Sequence, residues 1–484
     1  MGLLDRAGGR LTARAEDAEI LVVNTCSFID SAKQESVNAI LEMVQHKVAH
    51  GGKARRLIVA GCLVERYRDE IRRNIPEVDA VVGTGELEAI LEAAGLSAPV
   101  AEVATTSPFN ILVSRAASAV HQHSHPTEVG AQLESMKFRP EGNLREQQGR
   151  FSREHWQGAT AALPEYLYSD ETPRILSTPR ASAYIKIAEG CDHPCSFCII
   201  PQLRGKFRSR RLESIVAEAE NLIAQGVREI TLIGQDTTCY GEDLGLKDGL
   251  ATLLDALAVL PGLKWLRFLY AYPNKVTTRL LETIARHETI AKYLDVPLQH
   301  ASPSVLKRMK RGGTPDVFLR LIEKARAIVP GIVLRSTFIV GFPGETAEDF
   351  NELCEFVAAA KIDWLGVFSY SDEEGAAAFG LDAELKVPKR TIEARRRRLM
   401  KLQQKISAKA KATWVGREVD VLVEGESDET ELLWQGRTAL HAPEIDGKVL
   451  INDFGPHETL VPGTFYRAEI TESHEYDVVA RIIE

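Results

Sequence analysis

Short apolar runs alternate with helical patterns over the first hundred residues. The runs Glu19–Val23, Arg56–Ala60 and Val78–Val82 predict three strands, because short β-branched runs between polar stretches are typical of buried strands. After the first run, apolar residues recur at helical spacing, at Ala32, Val37, Ile40 and Leu41. The alternation predicts a doubly wound α/β domain over residues 1–98, with ligands at the carboxyl ends of its strands.

A longer alternation of strand and helix patterns occupies residues 177–412. Its candidate strands are Tyr184–Ala188, Glu229–Ile233, Trp265–Tyr270, Tyr293–Val296, Val333–Val340 and Trp364–Ser369. Helical patterns lie between them, such as Leu212–Gln225. Six strand–helix units predict an open, partial (β/α)6 barrel, in which chemistry occurs on the loops that follow the strands.

A charged helix is predicted at the end of this stretch, from Ala383 to Ala412. It contains the run Arg395-Arg-Arg-Arg398, which we interpret as a solvated connector.

Two further stretches have patterns of their own. Residues 99–176 are rich in Ser, His, Gln, Arg and Gly with weak periodicity, which predicts a partly disordered linker. Residues 413–484 alternate short apolar runs with turns and predict a small OB-like β-barrel. The five candidate strands of that barrel are Glu418–Val423, Glu431–Trp434, Val449–Ile451, Thr464–Ile470 and Asp477–Ile482.

Length and composition narrow the class of protein. A chain of 484 residues is too long for one hydrophobic core, so several domains are expected. No apolar run approaches the ~20 residues of a membrane span, and no secretory signal is visible. Seven cysteines, several of them clustered, suit metal binding in a reducing compartment better than a disulfide framework. We therefore expect a cytoplasmic protein without a membrane partner.

The formal charge of −9 is unevenly distributed along the chain. Residues 413–484 contain 5 Lys+Arg and 16 Asp+Glu, a net charge of −11, whereas residues 1–412 carry +2. An acidic surface repels phosphate backbones and attracts cationic partners. The predicted C-terminal barrel is therefore expected to bind a basic partner.

Three cysteines lie within eight residues, directly after the first strand of the predicted barrel. Cys191, Cys195 and Cys198 have the spacing Cys-x-x-x-Cys-x-x-Cys. Three thiolates can hold three irons of an iron–sulfur cube and leave the fourth iron open to a substrate or cofactor. Structural zinc sites and electron-transfer clusters instead take four ligands. The spacing favours a catalytic cluster, and a zinc site completed by His193 or by a distant residue is the alternative.

Two more cysteines follow strands of the N-terminal domain. Cys26 comes after the first strand and Cys62 after the second. Because the carboxyl ends of parallel strands meet at one edge of a sheet, a shared ligand role is expected. Cys239 and Cys354 have no partner at ligand spacing and are interpreted as ordinary cysteines.

The cysteine triplet, the strand before it and Phe197 between its last two cysteines together resemble the radical S-adenosylmethionine (SAM) superfamily. This resemblance implies a 4Fe–4S cluster on Cys191, Cys195 and Cys198, and SAM bound to the open iron. Cleavage of SAM then releases a 5′-deoxyadenosyl radical. The resemblance places Phe197 near the adenine and implies further cofactor-binding residues at Gly234, Gln235, Asp236, Gln299, Ser302 and Arg335.

Wider motifs resemble the methylthiotransferases of this superfamily. The runs Val23-Asn-Thr-Cys26 and Ala60-Gly-Cys62 are similar to their N-terminal domain, which holds a second, auxiliary 4Fe–4S cluster. The C-terminal barrel resembles a TRAM domain. In this family the MiaB-like branch modifies adenosine in tRNA, and the RimO-like branch modifies an aspartate of ribosomal protein uS12.

The RimO-like branch is the closer resemblance. It rests on the runs Glu189–Cys195, Gly234–Gly241, Pro297–Pro303, Phe368–Gly375 and Ala442–Gly447. The acidic barrel agrees with it, because an acidic surface attracts the basic protein uS12 and repels the phosphate backbone of tRNA. The rival functions are tRNA methylthiotransfer and a non-catalytic, metal-containing module that binds RNA or the ribosome.

The resemblance implies a radical mechanism. The deoxyadenosyl radical abstracts hydrogen from the β-carbon of the aspartate, whose C–H bond no side-chain base can deprotonate near neutral pH. The auxiliary cluster, ligated in part by Cys26 and Cys62, delivers sulfur, and a second SAM supplies the methyl group. An electron donor and a sulfur donor are expected as partners.

The chain departs from the family pattern at its start. The family's N-terminal domain begins with another strand that ends in Gly-Cys and supplies the third auxiliary ligand, whereas this chain begins at Met1-Gly-Leu-Leu. Two interpretations stay open. Either the start site is misassigned and the native protein is longer, or the auxiliary ligand set is incomplete and sulfur insertion is impaired.

Overall fold

The structure, a computed structural model, describes residues 1–96 and 166–484 except 177, 180, 382, 428, 429 and 431. Most of the predicted linker, residues 99–176, lies outside these described residues. That part includes the alternating histidines of the linker, His121, His123 and His125, which could bind a metal ion. None of the described helices is both long enough and apolar enough to cross a membrane.

The helices and strands follow each other in the predicted alternation. The helices are α1 Gly2–Arg6, α2 Asp30–Val44, α3 Cys62–Asn74, α4 Ala89–Ala94, α5 Ile200–Arg204, α6 Leu212–Ala224, α7 Gly249–Ala258, α8 Thr278–Arg286, α9 Pro303–Arg308, α10 Pro315–Ile328, α11 Ala347–Ala360 and α12 Lys389–Ala412. The strands of the first two regions are β1 Ile20–Thr25, β2 Arg56–Gly61, β3 Ala80–Val82, β4 Ser182–Lys186, β5 Ala188–Glu189, β6 Arg208–Ser209, β7 Glu229–Ile233, β8 Trp265–Phe268, β9 Tyr293–Asp295, β10 Val333–Val340 and β11 Trp364–Ser369. Those of the C-terminal region are β12 Glu418–Glu426, β13 Trp434–Arg437, β14 Val449–Asp453, β15 Phe465–Ser473 and β16 Val478–Ile482.

The N-terminal region is a parallel three-stranded sheet in the order β1-β2-β3. Leu57 and Val59 face a core formed with α2 and α3, whereas Ile58 faces a second core that includes Ala94 of α4. Apolar side chains alternate between the two faces of β2, and helices cover both faces. This arrangement confirms the predicted doubly wound α/β domain.

The central region is a six-stranded partial barrel. Strands β4-β7-β8 and β9-β10-β11 form two parallel groups. Backbone bonds join the groups where the Leu266 amide donates to Thr289 and the Ala291 amide donates to Leu266, at 2.8 and 2.9 Å. A single large core packs these strands against the helices. The open barrel predicted from the six apolar runs is confirmed.

The C-terminal region is a closed five-stranded barrel in the order β12-β13-β14-β16-β15. It packs against the amino ends of the central strands, where Arg437 of β13 reaches Glu229 at 2.7 Å and Ser182 at 3.2 Å. Burial alone would raise the pKa of Glu229, but the guanidiniums of Arg437 and Arg267 lower it to about 2. The small barrel thus lies at the end of the central barrel opposite the cysteine loop.

Several element boundaries differ from the prediction, and two elements begin clearly later than predicted. The long helix begins at Lys389 and not at Ala383, because Pro388 precedes its first turn and disfavours helical backbone in the residue before it. The second strand of the small barrel is Trp434–Arg437, and the sequence predicts it three residues earlier.

Candidate active site

The cysteine triplet lies on a loop between β5 and α5. Gly190 opens the loop with φ +79°, and a Cβ there would lie 2.1 Å from the carbonyl oxygen of Lys206, so only glycine fits. Ser196 anchors the loop to α9, because its amide donates to the Met309 carbonyl at 3.0 Å and its hydroxyl to the Arg308 carbonyl at 2.8 Å. The loop is therefore held by contacts with a remote segment of the chain.

The three thiols are half-buried on this loop. Burial raises the pKa of Cys191 to about 11 and that of Cys198 to about 12. The Arg311 guanidinium donates to the Cys195 Sγ at 3.4 Å. Thiols with raised pKa values lose their protons when a metal binds, and three soft sulfur ligands on one loop match the chemistry of an iron–sulfur cluster.

An aromatic and polar wall flanks the loop. The His193 ring stacks on Tyr272 with centroids 3.8 Å apart, and the Arg311 guanidinium lies 4.5 Å from the centroid of the same Tyr272 ring. His193 Nε2 lies 2.6 Å from the carboxylate of Asp236. Burial opposes ionisation of Asp236, but hydrogen bonds from His193 and from Thr238 outweigh it and lower the pKa of the carboxyl.

Cys239 has a partner that the sequence pattern does not reveal. Its Sγ donates to Asp236 at 3.0 Å, and the ligand atoms of His193, Asp236 and Cys239 lie within 4.8 Å of one another. These three side chains form a group that could hold a metal ion. Because His193 Nε2 already contacts Asp236, the alternative in which His193 completes a zinc site with the three cysteines is disfavoured.

The residues that the resemblance assigns to SAM divide into two sets. Gly234, Gln235 and Asp236 directly follow β7 at the barrel mouth, and the Oε1 atom of Gln235 is buried without a hydrogen-bond partner among the described residues. An acceptor in this state fits a ligand that carries an N–H or O–H donor. Phe197 packs in a small apolar cluster with Phe342 and others.

The other three assigned residues have partners within the protein. Gln299 has left-handed backbone (φ +73°), and its carbonyl accepts the Ile339 amide. The hydroxyl of Ser302 is buried and donates to Asp349 at 2.6 Å. Arg335 pairs with Asp295 at 2.9 Å, near the amino end of β10. Their roles as cofactor contacts stay predictions.

The two N-terminal cysteines lie side by side at one edge of their sheet. Thr25 pairs with Gly61 in the β1–β2 register, so Cys26 and Cys62 follow adjacent strand ends. Gly61 has φ +103°, and a Cβ there would lie 2.6 Å from the Thr25 carbonyl, which requires glycine between the strands. Cys26 is exposed and Cys62 is buried. The adjacency expected from the parallel strands is confirmed.

A short segment connects the two cysteine sites. Ile199 and Leu203 pack on Cys62, and Ile199 directly follows Cys198 in the chain. Arg204 donates to the Cys62 Sγ at 3.3 Å and to the Glu189 carboxylate at 3.1 Å. Burial raises the pKa of Cys62, and the Arg204 guanidinium opposes that rise. The residues that follow the triplet thus reach directly to the other cysteine site.

A second link joins the domains beside Cys26. Arg66 donates to the Ser27 carbonyl at 2.9 Å and to the Glu373 carboxylate at 3.2 Å, and Lys33 reaches the same carboxylate at 3.1 Å. Glu373 is 2% exposed, and it contacts both cations inside this interface. The motif run that contains Glu373 therefore fixes the N-terminal sheet to the barrel mouth.

Sequence reasoning missed four of these residues, namely Arg66, Tyr272, Arg311 and Glu373. Glu373 lies in a run that carried the resemblance, and Tyr272 follows the third central strand, where a strand-end rule would have found it. Arg66 and Arg311 lie beyond such positions and have no local signature.

Three family models match separate regions of the chain. Residues 185–357 match the Radical SAM superfamily, residues 415–483 match the TRAM domain, and residues 1–83 match the Uncharacterized protein family UPF0004. With its partial parallel barrel and three-cysteine loop, the protein is a radical SAM protein. The solved TsrM methyltransferase of Kitasatospora setae, a radical SAM enzyme, covers 72% of this chain and 62% of its own at 16% identity and a TM-score of 0.45.

Closer relatives identify the branch. A protein of Koribacter versatilis named ribosomal protein uS12 methylthiotransferase RimO is 65% identical over all 484 residues, which match 92% of that protein. A Solibacter usitatus protein of the same name is 53% identical, over 100% of this chain and 90% of its own. The chain belongs to the RimO family of radical SAM methylthiotransferases, which confirms the expected branch.

Proposed function

We propose that this protein transfers a methylthio group to the β-carbon of an aspartate in ribosomal protein uS12. The strongest support is the 65% identity over the whole chain to a protein named for that reaction, together with the three-cysteine loop at the barrel mouth. The acidic C-terminal residues, with a net charge of −11 over 413–484, favour a basic protein over tRNA as substrate.

The triplet is the proposed site of radical formation. Cys191, Cys195 and Cys198 hold a 4Fe–4S cluster, and Gly234, Gln235 and Asp236 bind the amino group of SAM. The unpartnered Gln235 Oε1 and the ionised Asp236 both suit an ammonium donor. When bound, the cluster and SAM supply the radical chemistry that an unactivated C–H bond requires. Phe197 and its apolar neighbours exclude water beside that site.

Cys26 and Cys62 are proposed as two of the ligands of a second, auxiliary 4Fe–4S cluster that takes part in sulfur transfer. Their adjacent strand ends and the segment that joins Cys62 to the triplet support this assignment. Arg204 orients the Cys62 thiolate and offsets its charge. Gln299, Ser302 and Arg335 are the further proposed cofactor-binding residues.

We propose that each of three regions, residues 1–98, 177–412 and 413–484, has one task in the reaction. The first handles sulfur, the second generates the radical and the third binds the substrate. We place the reaction in the cytoplasm, where ribosomes, a reductant and a sulfur donor meet.

Anaerobic turnover with two substrates tests this proposal. The iron-reconstituted protein is incubated with SAM, reductant and sulfide, together with either uS12 or tRNA, and both are analysed by mass spectrometry. We expect a methylthio group on an aspartate of uS12. An adduct on tRNA alone would reject the substrate, and the absence of 5′-deoxyadenosine would reject radical catalysis.

A further inference from the structure

A stripe of four cations runs along the outer side of α12. Arg397, Lys401, Lys405 and Lys409 recur every four residues, and all four side chains are exposed. We call these four residues the basic stripe. It extends over about 18 Å, since a helix rises 1.5 Å per residue.

The stripe lies opposite the face that α12 buries. The buried side chains Leu399, Gln403, Ser407 and Lys411 recur at the same interval. They are displaced from the stripe by two residues, which is about 200° around the helix. The cations therefore point away from the barrel.

The cations of the stripe have no ion pair among the described residues. By contrast Arg395, on the inner side, pairs with Glu345 at 2.8 Å. The whole helix has ten Lys or Arg and only Glu393 as an acidic residue, in a chain whose net charge is −9. Like charges four residues apart destabilise a helix, and no ion pair of the stripe with a described residue offsets that cost.

We propose that the basic stripe binds the phosphate backbone of the ribosomal RNA that surrounds the substrate. This inference rests on the proposed function, because it assumes that uS12 is met on the small ribosomal subunit. A regular row of cations along a helix, without ion pairs to the residues that the structure describes, is suited to a line of phosphates and carries no base readout. In this proposal the acidic barrel that follows α12 binds the basic protein uS12, and the basic stripe binds the ribosomal RNA. The two oppositely charged surfaces would then contact the two components of one small ribosomal subunit.

A charge reversal with a matched control tests the stripe. The variant is R397E/K401E, and the control R320E/K324E reverses an exposed Arg–Lys pair at the same spacing on α10. Reconstituted holoenzymes are compared on free uS12 and on intact small subunits. Binding to transcribed small-subunit ribosomal RNA is measured over a range of salt concentrations, independently of catalysis.

We expect R397E/K401E to modify free uS12 at the wild-type rate and small subunits about tenfold more slowly at low salt. The slope of the logarithm of the RNA association constant against the logarithm of salt concentration should fall in magnitude by about one per residue changed. The control should match wild type in every assay. A neutral variant, R397Q/K401Q, should show the same pattern more weakly.

Equal activity on both substrates and unchanged RNA binding would overturn the inference. So would loss of self-association with unchanged RNA binding, because the stripe would then bind the acidic barrel of a second copy. If wild type modifies neither substrate, the proposed function fails, and the RNA titration still decides the role of the stripe.

Discussion

The two cysteine sites of this protein are built in different ways. The triplet Cys191, Cys195 and Cys198 comes from one loop of eight residues, and that loop is anchored to a remote helix. Cys26 and Cys62 come from two strand ends, 36 residues apart, and meet only because β1 and β2 pair in parallel. One site is encoded locally, whereas the other requires the N-terminal sheet to fold first.

The sites also differ in their surroundings. The triplet is flanked by His193, Tyr272 and Arg311, which stack and bond around it. In the other site Cys26 is exposed, and the Cys62 Sγ accepts a hydrogen bond from Arg204 of the central domain. We infer that the triplet site can form without the N-terminal domain, but that the second site depends on both domains.

The largest expected effect is loss of the triplet. Cys198→Ser should abolish both 5′-deoxyadenosine formation and methylthiolation, because a hydroxyl is a poor ligand for an iron–sulfur cluster. Bound iron should fall by about four per chain. The control, Cys354→Ser on α11, should keep full activity and iron content. A variant that still forms 5′-deoxyadenosine at the wild-type rate would contradict the assignment.

Loss of a cysteine from the pair should separate the two activities. Cys62→Ser should reduce methylthiolation to background and leave 5′-deoxyadenosine formation near wild type, because the triplet does not share this ligand. Both products are measured in the same reaction by chromatography and mass spectrometry. Equal loss of both products would indicate that the two sites form one unit.

Sequence could predict those elements of the sites that follow from a local motif or from a general rule of strand packing. The triplet follows a recognisable strand, and Cys26 and Cys62 were expected at one sheet edge because parallel strands fix that geometry. The ligand roles of these cysteines stay predictions. Arg311 reaches Cys195 across 116 residues and Arg66 reaches Glu373 across 307, and only the packed fold brings these pairs together. The group of His193, Asp236 and Cys239, which could hold a metal ion, was not predicted for the same reason.

The contact between the domains at Arg204 and Cys62 can be weakened without removing a cysteine. Arg204→Gln removes the guanidinium charge beside Cys62 and Glu189. Methylthiolation should fall about 10–100-fold, as for other partners of metal ligands, whereas 5′-deoxyadenosine formation should change little. Arg204→Lys should restore part of the activity, because it keeps the charge. If both products fell together, Arg204 would instead support the triplet loop.

Arg311 offers the corresponding test on the triplet side. An N–H donor to a ligand sulfur raises the reduction potential of a cluster. Arg311→Gln should therefore lower the potential, measured by redox titration with electron paramagnetic resonance. It should slow 5′-deoxyadenosine formation about tenfold, because the cluster then accepts an electron from the reductant less readily. Both products should fall in proportion, unlike the result for Arg204. An unchanged potential would limit Arg311 to stacking on Tyr272.

The smallest effects compare two serines with similar tasks. The Ser36 hydroxyl accepts from the Cys26 amide at 3.0 Å and donates to its carbonyl at 3.1 Å, and the Ser196 hydroxyl anchors the triplet loop. Each serine-to-alanine change should cost about 1 kcal/mol at its own site. Iron release to a chelator should then quicken about fivefold at that site alone. Both serines are buried, but Cys26 itself is exposed, so water can replace the hydrogen bonds lost in Ser36→Ala more readily than those lost in Ser196→Ala, and Ser36→Ala should have the weaker effect. Equal effects at both sites would mean that the locally built loop is no better shielded from water than the pair formed by two strands.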